Sequence, residues 1–273
     1  MNNRYVSINN EIFPEEEAKI SVHDLSVQRG FGIFDFLKTI NHKPVFLEDH
    51  LDRFYRSAKE MNIPVPLTRS DLKNAIKRLM DKNALGNSGL KFILTGGYSA
   101  DGYTMTKPNL ILTQSPFEVN KAAFEKGTIL ITYPHQRQLP SIKTIDYLQA
   151  IRLQPYLKEQ KAEDILYHHE GMIRECPRAN FFIVKENHIL TPKTAILSGI
   201  TRSKILKLEI EGYTFSEVDF GLTEMAEADE AFISSSTKNA LPVLTIDGKK
   251  IGDGRPGKVT RKINEALYQL IEN

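Results

Sequence analysis

The sequence predicts a mixed fold, α+β or α/β, with largely antiparallel strand pairs. Three observations carry this. Short β-rich runs bounded by turn residues recur along the chain, amphipathic helical stretches lie between them, and no internal repeat or low-complexity tract interrupts the alternation. The 273 residues suit one large or two small domains.

Tyr5-Val6-Ser7-Ile8 and Ile33 to Ile40 read as strands, with the acidic run Glu15 to Glu17 as a solvated loop between them. A helix is expected from His50 to Asn62. Leu51, Phe54, Tyr55, Ala58 and Met61 share one face, and Pro64 ends it. A second helix runs from Asp71 to Lys82, with Ser70 as N-cap and Leu72, Ala75, Ile76, Leu79 and Met80 as its apolar stripe. The strands Leu90 to Thr95 and Leu110 to Thr113 flank the loop GGYSADGYTMTKP, whose length inside a compact domain points to function. The polar stretch Gln114 to Lys126 reads as a linker. It divides the chain into a small N-terminal domain, 1–113, a linker, 114–126, and a larger C-terminal domain, 127–273.

In the second half, Thr128 to Tyr133 is a strand and Thr144 to Lys161 a helix that Pro155 should kink or split. Asp164 to Lys185 reads as a hairpin turning at Glu170-Gly171. A short strand, His188 to Leu190, precedes a helix opening at Gly199-Ile200-Thr201. The strand Glu230 to Ser234 runs into Ser234-Ser235-Ser236-Thr237, a hairpin turns at Asp247-Gly248, and a last helix spans Pro256 to Ile271.

Composition narrows the function. Thirty-six Lys+Arg against 34 Asp+Glu give a net charge of +2, too weak a bias to point to nucleic acid or an anionic membrane. One cysteine, Cys176, excludes an intrachain disulfide and fits a reducing compartment. The first residues lack the apolar run of a signal peptide, and no stretch approaches ~18 consecutive apolar residues. The expectation is a soluble, cytoplasmic protein.

Five features could carry chemistry. Lys143, in LPSIKTIDYLQAI, follows a strand among apolar neighbours; partial desolvation would make it a nucleophile able to form a Schiff base, and the bland alternative is a surface lysine. Glu175, on the expected strand Gly171 to Cys176, is a carboxylate that burial would force to find a cationic partner. A pyridinium N–H would serve, and so would Arg174 or Arg178 in a structural pair. Gly199-Ile200-Thr201-Arg202 opens a helix whose free N–H groups suit an anion, and Ser234 to Thr237 could add hydroxyl donors; an ordinary helix start and a polar turn are the alternatives. Arg53 lies opposite the apolar stripe of its helix, so local context reads it as solvated unless that face lines a cleft. Arg29 and Arg178, in VQRGFGIF and CPRANFF, could clamp a carboxylate or form structural ion pairs. His168 and His169 are adjacent on a strand and point to opposite faces, so no joint metal site is expected.

Taken in order, EDHLDRFYRSA with Arg53, SIKTIDYL with Lys143, IRECPRANFF with Glu175, LSGITR, SSST and GDGRPGKVT resemble the class IV aminotransferases. The resemblance runs over nearly the whole chain. It implies fold type IV: a small N-terminal α/β domain, a larger C-terminal domain with a β-barrel-like core, pyridoxal 5'-phosphate as cofactor, and a homodimer. It makes Lys143 the Schiff-base lysine and Glu175 the partner of the pyridine nitrogen. Arg53, the N–H groups of Ile200 and Thr201, and Ser236 become the phosphate cradle, with Tyr147 near the cofactor's phenolic oxygen. The implied reaction is ping-pong transamination between amino acids and 2-oxo acids, with Lys143 moving the proton.

The chain departs from better-known subgroups of that family. Asp35 stands in QRGFGIFDF where Glu is common, and Ser99-Ala100-Asp101-Gly102-Tyr103 replaces the Arg-x-His that grips the substrate carboxylate in common D-amino-acid aminotransferases. RGFGIF, LTGGYSADGYT and IRECPRANFF look like a divergent D-amino-acid aminotransferase group with Arg29 and Arg178 as its carboxylate clamp. The alternative is an L-branched-chain aminotransferase, with Phe31, Ile33 and Phe36 lining an aliphatic pocket. An aminodeoxychorismate lyase follows, and then a cofactor-binding protein without turnover.

Overall fold

A computed structural model describes residues 4–118, 120 and 122–272, the side chain of residue 272 excepted. It divides into two compact units. The first comprises Met1–Glu118 with the short segment Ile142–Asp146, and the second Val119–Ser141 with Tyr147–Asn273.

In the first unit the strands are β1 (Tyr5–Ile8), β2 (Glu11–Pro14), β3 (Gly32–Ile40), β4 (Lys43–Pro44), β5 (Ser88–Thr95) and β6 (Leu110–Pro116). The helices are α1 (Leu25–Arg29), α2 (Leu47–Glu60) and α3 (Arg69–Asn83). The strands form one antiparallel sheet in the order β2-β1-β6-β5-β3-β4. Strand periodicity decides what this sheet buries. Ile33, Leu37, Leu90, Phe92, Leu94, Leu110 and Leu112 join the buried faces of α2 and α3 in one cluster. Phe34, Phe36, Lys91 and Ile93 stand on the opposite, half-buried face. The segment around Lys143 is tied to β3 rather than helical. Phe34 N donates to Lys143 O (2.9 Å), Ile145 N donates to Gly32 O (3.1 Å), and Ile142 is buried in the same cluster.

In the second unit the helices are α4 (Ala122–Lys126), α5 (Leu148–Arg152), α6 (Gln154–Glu159), α7 (Ile200–Ile205), α8 (Leu222–Ala226) and α9 (Lys258–Glu272). The strands are β7 (Thr128–Pro134), β8 (Asp164–His169), β9 (Met172–Ile173), β10 (Asn180–Lys185), β11 (His188–Thr191), β12 (Thr214–Glu217), β13 (Glu230–Ser235), β14 (Asn239–Ile246) and β15 (Lys249–Lys250). The main sheet runs β12-β11-β10-β13-β14-β7-β8-β9, with β15 on β14; the pairs β11·β12, β14·β7 and β7·β8 are parallel. One apolar cluster joins Leu130, Leu166 and Ile173 to Phe181, Ile233 and Val243, so the sheet curls around it as a half-barrel. The other face of β10 and β13 packs Phe182 and Phe232, stacked at 4.6 Å, under α7 and α9.

Several expectations change. The helix expected from Thr144 to Lys161 is two short helices, with Pro155 in the first turn of α6, where its missing N–H costs nothing. Thr144 itself bridges Ile33, because β3 offers its backbone a partner that local sequence cannot reveal. Thr68, not Ser70, caps α3 by accepting from Asp71 N. The acidic run is a 3-10 turn. The expected linker 114–126 is largely ordered structure: β6 continues through Pro116, with Gln114 buried, and α4 follows, while residues 119 and 121 lie outside the described ones. The hairpin at Glu170-Gly171 forms, both residues taking the positive φ such a turn needs. Its second arm stops at Ile173, and β10 leaves to pair with β11 and β13. No helix among the described residues is long and apolar enough to cross a membrane.

Candidate functional site

In the first unit, Lys143 rests with its Nζ 4.5 Å from the centre of the Phe34 ring. Its carbonyl and the neighbouring Ile145 N–H are both pinned to β3, so the half-buried side chain leaves a fixed backbone. Phe34 belongs to the sheet face opposite the core. Ile33 is fully buried in the core, and Phe31 packs against that core over Gly96. This corrects the expected pocket. The strand's twofold alternation places Phe34 and Phe36, rather than Phe31 and Ile33, on the face that carries Lys143.

Arg53 is buried, not solvated as its helix face implied. It makes a bidentate pair with Asp35, Nε to Oδ2 and Nη2 to Oδ1, both 2.8 Å, and His50 Nδ1 meets the same Oδ1 at 2.7 Å. Burial pushes the Asp35 carboxyl up, but Arg53 and then His50 overcome it and hold it well below the usual carboxylate range. Burial pushes His50 down despite Asp35, which leaves the imidazole neutral near pH 7 and donating from Nδ1. Both depressed values make acid destabilising. The unfolded chain takes up a proton on His50 below about pH 6.5, and on Asp35 below about pH 4, before the folded chain does. Denaturant midpoints are expected to fall from about pH 7.5 to 5.5 and again to about 3.5; a midpoint that rises over the first interval contradicts this account.

In the second unit, Glu175 sits at a bulge. Tyr167 faces two residues at once, with its O accepting from Arg174 N (2.8 Å) and its N donating to Glu175 O (3.0 Å). The bulge re-aims the buried Glu175 carboxylate toward Arg137 Nη1 (2.9 Å), Asn180 Nδ2 (3.1 Å) and the backbone N of Leu197 (3.1 Å). Arg137, rather than Arg174 or Arg178, is the ionic partner. Arg174 instead donates to Gln136 (2.9 Å), and Arg178 is exposed.

Asn180 links this carboxylate to the start of α7. Its Nδ2 also donates to Leu197 O (2.8 Å), and a Cβ at Gly199 would lie 2.0 Å from its Oδ1, so only glycine fits that approach. No side chain caps α7, whose opening residues Ile200 and Thr201 are buried. Ser234 pairs with Asn180 across β10 and β13 and so shares its sheet face; its Oγ is buried and meets no hydrogen-bond partner among the described residues. Ser236 is half-buried in the following turn, where Ser235 Oγ accepts from Lys238 N. Uncapped helix N–H groups and an orphaned buried hydroxyl suit a phosphate, and a fixed carboxylate suits a protonated ring nitrogen. These donors and acceptors therefore fit pyridoxal phosphate. Tyr147 stands half-buried at the N-cap of α5.

Arg29 ends α1, exposed, with Nη1 donating to Gln28 O. Cys176 is buried, and burial first, then Asp164, pushes its thiol up, which suits an inert structural role. Among the described residues no group of three His, Cys, Asp or Glu side chains could hold a metal ion. Sequence reasoning missed Arg137, Asn180 and Phe34. The signal for Phe34 was the alternation of β3 itself.

The family model described as amino-transferase class IV matches residues 32–246. A D-alanine aminotransferase of Bacillus licheniformis is 30% identical over 97% of this chain and 96% of its own length. One from Listeria monocytogenes serotype 4b is 29% identical over the same shares. Among solved structures, the Escherichia coli branched-chain amino acid aminotransferase gives a TM-score of 0.91 at 26% identity, covering 98% of this chain and 95% of that one. A T.th. branched-chain amino acid aminotransferase with pyridoxamine 5'-phosphate gives 0.91 at 24% identity over 99% and 95%.

Proposed function

The chain belongs to the class IV aminotransferases, which depend on pyridoxal phosphate, and from that premise we propose that it transfers amino groups between D-amino acids and 2-oxo acids. The observation that carries the choice of hand is the likeness to D-alanine aminotransferases over nearly the full length of both chains. When bound, the cofactor supplies a carbonyl that condenses with amines and a ring that takes up the electrons of the Cα–H bond.

The chain's own residues do the rest. Lys143 Nζ would hold the cofactor and, once free, would take the proton from the substrate Cα and deliver it to the carbon that had been the cofactor's carbonyl; its pinned backbone limits where that nitrogen can swing. Glu175, held by Arg137, Asn180 and the Leu197 N–H, would accept a hydrogen bond from a protonated ring nitrogen. The N–H groups of Ile200 and Thr201, with Ser236 and the buried Ser234 hydroxyl, hold the phosphate, and Arg53 serves the same anion from its pair with Asp35. Tyr147 is assigned to the phenolic oxygen. Arg29 and Arg178 clamp the substrate α-carboxylate, a role their exposed guanidiniums leave open. Homodimeric assembly and a cytoplasmic setting belong to the same reading, the latter supported by the lone buried thiol.

The branched-chain alternative keeps one specific support, the likeness to the Escherichia coli enzyme, together with the aromatic face of Phe34 and Phe36. The test is the double variant Arg29→Ala/Arg178→Ala. The KM for D-alanine is expected to rise at least tenfold with a smaller change in kcat. An unchanged KM removes the clamp, and wild-type turnover of L-leucine without any of D-alanine removes the D-specific reading.

A further inference from the structure

Gln136, just past β7, joins three segments that meet at Glu175. Its Oε1 accepts from Arg174 Nε (2.9 Å), next in the chain to Glu175. Its Nε2 donates to the carbonyl of Arg137 (3.3 Å), the residue whose guanidinium pairs with that carboxylate. The same Nε2 donates to Ala195 O (3.1 Å), in the segment 192–199 between β11 and α7, whose Leu197 N–H also meets the carboxylate. These partners fix the orientation of the amide, because a guanidinium only donates and a carbonyl only accepts. Segment 192–199 has no helix or strand of its own, so side chains shape it. Arg202 Nη2 donates to Pro192 O (2.8 Å), Asp219 Oδ1 accepts from the N–H groups of Lys193 and Thr194 (both 2.9 Å), and Asn180 Nδ2 donates to Leu197 O (2.8 Å). Between these ties Ala195 takes a φ of 55°, a left-handed conformation that an alanine keeps only where its surroundings hold it. Gln136 supplies the tie at that residue.

We infer that Gln136 is a positioning residue for the cofactor's ring nitrogen: by holding Arg174, Arg137 and Ala195 together it fixes the donors around Glu175, and so where that carboxylate presents its charge. The proposal rests on the reading of Glu175 as the partner of that nitrogen. It goes further by assigning the aim of the carboxylate to a residue bonded to its neighbours. A hydrogen bond between carboxylate and pyridinium is charge-assisted and directional, so it weakens as its acceptor turns or drifts. With an apolar chain of equal length at 136, Ala195 is free to leave its left-handed conformation and draw the Leu197 N–H off Glu175. Arg174 and Arg137 lose the link between them as well. Loss of such orienting groups costs ~10–100-fold in affinity at metal centres. A glutamine kept only to steady the segment would lower the melting temperature and weaken every cofactor analogue alike, which gives the test its form.

Full-length wild type and Gln136→Met, each freed of cofactor, are titrated with pyridoxal phosphate and with an analogue in which a C–H replaces the ring nitrogen. Aldehyde and phosphate are common to both compounds, so the ratio of their Kd values isolates the ring nitrogen. Wild type is expected to favour pyridoxal phosphate by ~10–100-fold, the worth of one charge-assisted hydrogen bond. Gln136→Met is expected to lose at least about fivefold of that preference, with the Kd of the analogue nearly unchanged. In a Glu175→Gln background, which removes the accepting charge, Gln136→Met is expected to leave the ratio where it was. Gln136→Leu takes the place of the methionine protein if that does not fold. An unchanged ratio, or an equal loss for both compounds, overturns the proposal whatever the melting temperature does. So does a loss of the same size in the Glu175→Gln background. A wild type that binds both compounds equally removes the ring-nitrogen role of Glu175 itself, and the role of Gln136 falls with it; a wild type that discriminates beside a variant that does so equally well removes the role of Gln136 alone.

Discussion

Lys143→Ala is expected to lower kcat by at least about a thousandfold while leaving the fold intact. Removing a positioned acid–base group alone costs ~10²–10⁴-fold, and this variant also removes the nucleophile. The fold should survive because what holds the segment is main chain and a neighbour: Lys143 O to Phe34 N, Ile145 N to Gly32 O, and the buried Ile142 side chain. The variant should therefore still bind the cofactor, but not covalently. Borohydride reduction followed by mass spectrometry checks this. Wild type should carry a reduced phosphopyridoxyl group on the peptide containing Lys143, and the variant none. A variant that retains even a tenth of wild-type turnover would move the chemistry to another amine.

The second large effect belongs to Glu175, where stability and catalysis separate. Glu175→Ala strips the buried partner from Arg137, Asn180 and the Leu197 N–H together. Breaking a buried ion pair from one side costs ~3–5 kcal/mol, so this variant should melt well below wild type. Glu175→Gln keeps the shape and a carbonyl oxygen for the Asn180 and Leu197 donors but removes the charge. It should recover much of the stability yet lose ~10²-fold or more in kcat, the scale for removing one preorganised electrostatic partner of the reacting group. Parallel melting curves and turnover numbers check the pair. A glutamine variant with wild-type kcat would reduce Glu175 to a structural hub.

The sequence was most legible where local pattern and tertiary use coincide. The stripe Leu51, Phe54 and Ala58 of α2 and the turns at Glu170-Gly171 and Asp247-Gly248 declare themselves, because helical spacing and positive φ are local requirements. The order of the Arg53, Lys143 and Glu175 motifs led to the right family, while each residue alone argued little. What stayed hidden depends on distant partners. Arg53 looks solvated on its helix, yet it pairs with Asp35, 18 residues earlier. His50, Arg53 and Ser57, all buried, form a polar stripe beside the apolar one, and Asp35 alternates with Ile33 and Leu37. Together those two patterns carried the signal. The segment after Ser141 has helical composition but is extended because β3 supplies its hydrogen bonds. Arg137 became the partner of Glu175 through the bulge opposite Tyr167, which no hairpin pattern announces.

The measurement closest to the central claim is the visible absorption of purified holoenzyme mixed in turn with D-glutamate, D-alanine and L-leucine, with 2-oxo acid then added. The account predicts that the cofactor band is lost with both D-amino acids, returns on adding a 2-oxo acid, and is unmoved by L-leucine. Loss with L-leucine and none with either D-amino acid would contradict it and assign the chain to branched-chain L-amino acids.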